Sequence, residues 1–232
     1  MNKRTPADAR LLLAAELCRK DARFADIGTD HAHLPLYLLS IGRIGSAFAA
    51  DVAEGPLARA KRSVEAAGMQ DKVTLLLADG LSGMEGLGLT DIAICGMGGE
   101  LIASILAAAP FVRDPAVRLI LQPMTRAEAL RQYLAEAGFS VFSERYALSG
   151  GRAYLCLGAA YSGDIHTVGP IEAVLGDPTL RDARDTAAFL AFLDTKEREA
   201  RGRLHGKRLG NASSSFEEEL LAAIKAEREN LL

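Results

Sequence analysis

The sequence predicts an α/β fold: a doubly wound, mostly parallel sheet of seven strands whose last two form an antiparallel hairpin, followed by a small C-terminal helical hairpin. Three observations carry this. Seven short apolar runs recur between residues 22 and 160, most of them continuously hydrophobic, as strands covered on both faces require. Amphipathic stretches lie between the first five, which implies right-handed βαβ crossovers. Only Ser149-Gly150-Gly151 joins the last two, which suits an antiparallel turn and no crossover.

The strands are expected at 22–28, 45–51, 72–79, 90–96, 117–123, 139–148 and 152–160, and most end in Gly, Asp or Pro. Helices are expected at 54–68, with Pro56 near its start and Gly68 at its end, at 100–109, and at 125–138. The last reads as a capping box on Thr125 and Glu128, closed by Gly138. Residues 162–185 are rich in Gly, Pro and Asp and read as a linker between a domain at 1–161 and a second at 186–232. In the second, Phe189, Leu193, Ala200 and Leu204 recur at helical spacing. After a Gly/Asn/Ser turn, Ser215-x-x-Glu218 opens a helix that aligns Phe216, Leu220, Ile224 and Leu231. Two such stripes suit an antiparallel, coiled-coil-like hairpin.

With 232 residues, 49% of them hydrophobic and 25% charged, the chain has material for a sizeable core, and a mostly disordered protein is excluded. Cys18, Cys95 and Cys156 are too few and too scattered for a disulfide framework or a zinc knuckle. The N-terminal apolar run breaks at Glu16 and Arg19, too early for a signal peptide or a membrane span, so a cytoplasmic location is expected. The net charge of −3 announces no polyanionic partner, but its distribution is uneven. Residues 1–23 carry six Lys/Arg against three acids, and residues 196–208 carry six against two. Such runs are often solvated helix faces.

Chemistry concentrates at the strand ends. After the first strand comes Asp26-Ile27-Gly28-Thr29-Asp30-His31-Ala32-His33-Leu34-Pro35. Gly28 allows a sharp turn and close approach of a ligand to the backbone. The dinucleotide fingerprint needs glycines where Asp30 and His33 stand, and a carboxylate there repels a pyrophosphate, so NAD and FAD are disfavoured. A nucleoside bearing a cation is welcome instead. Asp51 closes the second strand, where an acid in such sheets accepts from a ribose diol. Asp79 closes the third, within reach of an adenine amino group. A single strand-end Asp is ordinarily a helix cap, but three at consecutive strand ends fit a ribose–adenine cradle better. The ligand that joins adenosine to a positive centre is S-adenosylmethionine.

The fourth strand ends in Cys95-Gly96-Met97-Gly98-Gly99-Glu100, a loop with no bulk to keep a ligand or a base away. Gln122-Pro123 ends the fifth, where the Gln can meet a base edge or cap the next helix. His31-x-His33 beside Asp26 and Asp30 also admits a metal, but His166 and His205 are the only other histidines, and no metal is expected.

These segments carry a resemblance. Asp-Ile-Gly-Thr-Asp-His-Ala-His-Leu-Pro (26–35), Ala-Asp-Gly-Leu (78–81), Gly-Met-Gly-Gly-Glu (96–100) and Leu-Gln-Pro (121–123) stand in the order found in bacterial tRNA (adenine-N1)-methyltransferases that act on adenosine-22 of the D-arm. The final strand (149–157), Val-Gly-Pro (168–170) and the helical hairpin are similar too. The resemblance implies a Rossmann-like, seven-stranded class I methyltransferase domain with a C-terminal coiled-coil domain, S-adenosylmethionine as cofactor and tRNA as partner. It places the cofactor on Asp26, Gly28 and Thr29, on Asp51 and Val52, on Ala78, Asp79 and Gly80, and on Gly96, Met97 and Gly98. Asp30 and His31 become the catalytic candidates. His33, Gly99, Gln122 and Pro123 face the substrate base, and Arg201, Arg203, Lys207 and Arg208 face the tRNA backbone. The chain departs from the family pattern at His33, where Tyr is usual, and at Met124, where Asn is usual. A methyltransferase for another RNA position or for a small molecule is the alternative, ahead of a non-catalytic RNA-binding module or a metal hydrolase.

Overall fold

The computed structural model describes residues 8–210 and 213–231. Lys3 and Arg4 of the N-terminal basic cluster, and Asn211 and Ala212 of the expected interhelical turn, lie outside them. The strands are β1 (Phe24–Ile27), β2 (Ala47–Asp51), β3 (Val73–Leu77), β4 (Asp91–Gly98), β5 (Arg118–Thr125), β6 (Phe139–Ser149) and β7 (Arg152–Tyr161). They form one sheet in the order β3-β2-β1-β4-β5-β7-β6. Pairings through β5 are parallel; β7 runs antiparallel to β5 and to β6. The chain reverses direction across the sheet between β1 and β4, so their carboxyl ends frame the crevice in which such folds take ligands.

Among the described residues eight α-helices surround the sheet: α1 (Ala9–Leu17), α2 (His33–Ser40), α3 (Glu54–Ala66), α4 (Gly99–Ala107), α5 (Ala127–Glu136), α6 (Pro170–Leu175), α7 (Thr186–Leu209) and α8 (Ser215–Leu231). Alternation along each strand divides the core. Phe24, Ala49, Ala93 and Ile120 pack beneath α1–α3, while Ala25, Ile27, Ile92, Ile94 and Leu119 pack beneath α4, α5 and the C-terminal helices. Each large side chain buried this way contributes about 1.5–3 kcal/mol.

Four local expectations are corrected. No helix joins β3 to β4, which are linked by turns rich in Gly. The basic N-terminal stretch, given no element, forms α1, which starts on Asp8 and buries Leu13, Ala14 and Leu17. The capping box on Thr125 does not form, because β5 runs through Thr125 and Arg126 turns left-handed (φ 55°) to start α5. At α8 the contact is made one residue early, with Ser214 Oγ donating to Glu218 at 2.9 Å.

The segment 162–185 holds α6 and two 3-10 turns. A buried Arg131 on α5 anchors it, donating to the Ala173 carbonyl at 2.9 Å and to both carboxylate oxygens of Glu144 on β6 at 2.8 Å. Tyr146 Oη donates to the same carboxylate at 2.9 Å. Helix α7 docks on the sheet by Phe189 and Phe192, both packed on Tyr146. Arg228 pairs with Asp194 near the start of α7, and Arg208 pairs with Glu218 near its end, so α7 and α8 run antiparallel. Leu220 and Ile224 face Leu193 and Ala200 inside one core with the sheet. Among the described residues no helix is long and apolar enough to cross a membrane.

Candidate active site at the carboxyl edge of the sheet

The first loop has an unusual backbone. Gly28, His31 and Ala32 have φ of 75°, 66° and 53°. A left-handed alanine is uncommon, and such backbone collects where a site needs it. The curl points α2, which starts at His33, toward the crevice. A Cβ on Gly28 would meet the terminal methyl of Met97, the movable end of that side chain, so it is the left-handed backbone (φ 75°) more than the contact that favours glycine between β1 and the β4 loop.

Asp26 is buried on β1, and Thr29 Oγ1 donates to its Oδ2 at 2.7 Å. Burial, with some help from Asp51, pushes its carboxyl up to about 6, against the pull of the Thr29 bond. Asp51, at the end of the neighbouring β2, accepts from Ala53 N at 2.8 Å, the role of an ordinary cap, and is half-buried. Val52 leaves 67% of its surface in water. An apolar side chain so exposed, next to a strand-end acid, suits the flat face of a base. Asp79 is exposed after β3, while the Cβ position of the next residue, Gly80 (φ 55°), lies 3.0 Å from Ile105 on α4.

On the other side of the crevice, the β4–β5 pairing slips between Cys95 and Met97 and again before Gly98. The slip lifts Gly96 (φ 81°) out of the ladder, and Gln122 takes up its amide: Gly96 N donates to Gln122 Oε1 at 3.1 Å. Gln122 is buried, and its amide nitrogen donates to the Pro123 carbonyl at 3.2 Å. Gln122 therefore holds the glycine loop rather than offering its amide to a ligand. Gly99 cannot carry a side chain, since a Cβ there would strike the Arg126 carbonyl.

Asp30 and His31 sit at the rim. Arg59 on α3 donates to Asp30 Oδ1 at 2.7 Å, and this guanidinium holds the exposed carboxyl below its usual range. His31 Nε2 lies 3.7 Å from the same oxygen, and the rings of His31 and His33 stack at 5.2 Å. Burial and the neighbouring His31 lower the basicity of His33. The structure thus brings Asp26, Gly28, Thr29, Asp51 and Met97 together around one crevice and turns Asp30 toward α3. Arg59 escapes a sequence reading, standing 29 residues from its partner. Arg10 escapes it too: it lies over the Tyr154 ring, 5.1 Å from the centroid, with Met124 Sδ at 3.9 Å.

The four hairpin cations expected to meet tRNA are all engaged. Arg201 pairs with Glu197, Arg203 and Lys207 with the buried Glu217, and Arg208 with Glu218. They follow the sheet-docking part of α7, Arg208 standing roughly 24 Å along the helix from Phe192 at 1.5 Å per residue. Among the described residues no cluster of His, Cys, Asp or Glu could hold a metal.

The profile of the family described as "Methyltransferase domain" matches residues 7–157, the whole span from α1 into β7. The chain belongs to the methyltransferase family. This methyltransferase is 36% identical to the tRNA (adenine(22)-N(1))-methyltransferase of Bacillus subtilis (strain 168), over 67% of this chain and 65% of that protein's length. Among solved structures it resembles a candidate tRNA (m1A22) methyltransferase of Streptococcus pneumoniae, 31% identical over 95% of this chain and 98% of that one, with a TM-score of 0.81. That protein has also been solved in complex with S-adenosyl-L-methionine, at a TM-score of 0.78. The B. subtilis m1A22 tRNA methyltransferase TrmK is 29% identical over 97% of this chain and 96% of that one, with a TM-score of 0.77. The expected fold class is therefore the observed one, the helical hairpin included.

Proposed function

We propose that this methyltransferase transfers a methyl group from S-adenosylmethionine to N1 of an adenine in tRNA, adenosine-22 of the D-arm, in the cytoplasm. The observation that carries the reading is the crevice itself: buried and strand-end carboxylates around a left-handed glycine, in a chain that aligns nearly end to end with m1A22 methyltransferases.

The residues fit the cofactor. A cationic, diol-bearing nucleoside wants acceptors, and Asp26, Asp51 and Asp79 supply them where a pyrophosphate would be repelled. Asp26 suits the ammonium group, Asp51 the ribose hydroxyls, and Asp79 with Ala78 and Gly80 the adenine amine. Val52 covers the base, while Gly28, Thr29 and the Gly96-Met97-Gly98 loop leave room for the methionine arm. When bound, the cofactor supplies an electrophilic methyl on a sulfonium.

Adenine N1 has its own lone pair at neutral pH, so the protein needs no strong base to expose it. N1 lies on the pairing edge, so the base must leave its stack before reaction. The protein's work is to hold the ring in line and to stabilise the positive charge it acquires. Asp30, kept ionised by Arg59, is the group for that charge, and His31 orients it. His33, Gly99 and Pro123 border the base, with Gln122 fixing the loop beneath it. Arg201, Arg203, Lys207 and Arg208 reach the backbone by exchanging carboxylates for phosphates, a modest change for Arg201 and Arg208, whose ion pairs are exposed, and a larger one for Arg203 and Lys207, whose shared partner Glu217 is buried.

The test is incubation of unmodified tRNA with protein and S-adenosylmethionine, then reverse transcription. A new stop one nucleotide before adenosine-22 supports the reading. No stop, with thermal stabilisation by S-adenosylhomocysteine intact, moves the acceptor elsewhere.

A further inference from the structure

Beside the crevice, the end of β5, the β6–β7 turn and α7 enclose a groove of about 420 Å³. That is the size of an ordinary small-ligand pocket. Met124, Leu155 and Phe192 contribute its apolar surface, and Arg126, Arg152, Lys196 and Arg198 line it against a single acid, Glu199. Two of the four cations are already engaged: Arg126 by Glu100 and Glu128, and Lys196 by Glu199. The other two are not. Among the described residues no carboxylate pairs with Arg152 or Arg198, although every cation of the hairpin between Arg201 and Arg208 has one. Arg198 donates only to the hydroxyl of Thr195, at 3.3 Å.

Two exposed guanidinium groups facing one concave surface, one from the sheet and one from α7, leave positive charge unanswered there. Apolar walls with a tyrosine, Tyr154, and a basic rim are the composition that holds an unpaired nucleic-acid strand. The groove also abuts the place of reaction, because Pro123 and Thr125 pair with Met97 and Gly98 of the glycine loop. We propose that Arg152 and Arg198 clamp the phosphates of the unpaired RNA segment next to the target adenine, so that this groove, rather than the far end of the hairpin, is the principal RNA contact. The proposal rests on the methylation reading for the identity of the target base. Its charge and shape argument does not.

The experiment measures tRNA affinity of the full chain over a range of salt concentrations, for the wild type, Arg152→Ala/Arg198→Ala and Arg201→Ala/Arg208→Ala. At about 0.7 of a counterion per contact on a single strand, the groove variant should lose about 1.4 from its log–log salt slope and at least tenfold in affinity. The hairpin variant should lose less of both. Unchanged stabilisation by S-adenosylhomocysteine certifies that the groove variant is folded. A groove variant that matches the wild type in affinity and slope overturns the proposal, as does a hairpin variant that loses more, or a wild type that binds no tRNA. So does full displacement of tRNA by inorganic phosphate at an ionic strength where chloride displaces none, which marks a free-anion site. Groove-dependent binding without any reverse-transcription stop leaves the groove standing and removes the methylation reading instead.

Discussion

Met97 closes over Gly28: the thioether methyl of the β4 loop rests where a β-carbon of the β1 turn would be. The contact couples the two halves of the crevice through one atom's worth of space. Gly28→Ala introduces both a collision and a left-handed alanine, the latter costing roughly 1–2 kcal/mol. The expected outcome is loss of at least tenfold in S-adenosylhomocysteine affinity by calorimetry, with the fold retained. Adding Met97→Ala removes the collision but not the backbone strain, so the double variant should recover part of the affinity. Affinity of Gly28→Ala equal to wild type would remove the glycine from the site.

Asp26 gives the site a pH dependence whose sign follows from burial. Its carboxyl titrates at about 6 in the fold against 3.8 for a free one, with Thr29 and Asp51 as its polar neighbours and Cys95 of β4 close by. The native state therefore holds the proton longer than the unfolded chain. Stability from this group is fully present below about 3.8 and is lost as the pH rises through about 6. Binding of a cationic cofactor runs the other way, since only the carboxylate attracts an ammonium. Affinity for S-adenosylhomocysteine should climb through pH 6 and then level off. Asp26→Asn should bind more weakly at neutral pH and show no step. A wild-type curve flat across that range would separate Asp26 from the ligand.

Asp30 and Arg59 make a third case. The guanidinium keeps the carboxylate charged but also occupies it, so the proposed catalytic role requires the pair to open when RNA arrives. Asp30→Ala should depress kcat by at least about a hundredfold, the low end for a positioned group in proton or charge stabilisation. Cofactor affinity should stay near wild type. Arg59→Ala, which frees the carboxylate, should cost far less. If Asp30→Ala turns over normally, the charge on the adenine ring is stabilised by another group.

What the sequence disclosed and what it hid have a common physical basis. Strands buried on both faces must be apolar throughout, so segments such as Leu119–Leu121 announce themselves. Helix α1 did not, because its buried face is two leucines and two alanines, Leu13, Ala14, Ala15 and Leu17, in a basic setting. Helix α6 was hidden in a Gly- and Pro-rich segment because Arg131 and Glu144, more than local propensity, hold it. The crevice acids were legible because strand ends in such sheets converge on one edge. Their partners were not: Arg59 on Asp30, Arg10 on Tyr154 and Gln122 on Gly96 are set by tertiary packing, which carries no local pattern.

The Arg131–Glu144 pair yields the final prediction, on stability. Both side chains are almost wholly buried, at 4% and 2% exposure, and the guanidinium also donates to the Ala173 carbonyl while Tyr146 donates to the carboxylate. Gly176 passes directly over the pair with φ 81°, where a Cβ would strike Glu144. Removing one partner leaves a buried charge without its counterion, which costs about 3–5 kcal/mol. Glu144→Ala should therefore unfold at a markedly lower urea midpoint than wild type. Glu144→Gln keeps the shape and part of the hydrogen bonding and should fall between the two. Because α6 and the docking aromatics of α7 meet the same network, the loss should appear in one cooperative transition that takes the C-terminal helices with the sheet. A Glu144→Ala protein with wild-type stability, or one whose helical hairpin melts separately from an unchanged sheet, would show that the pair does not bind these parts together.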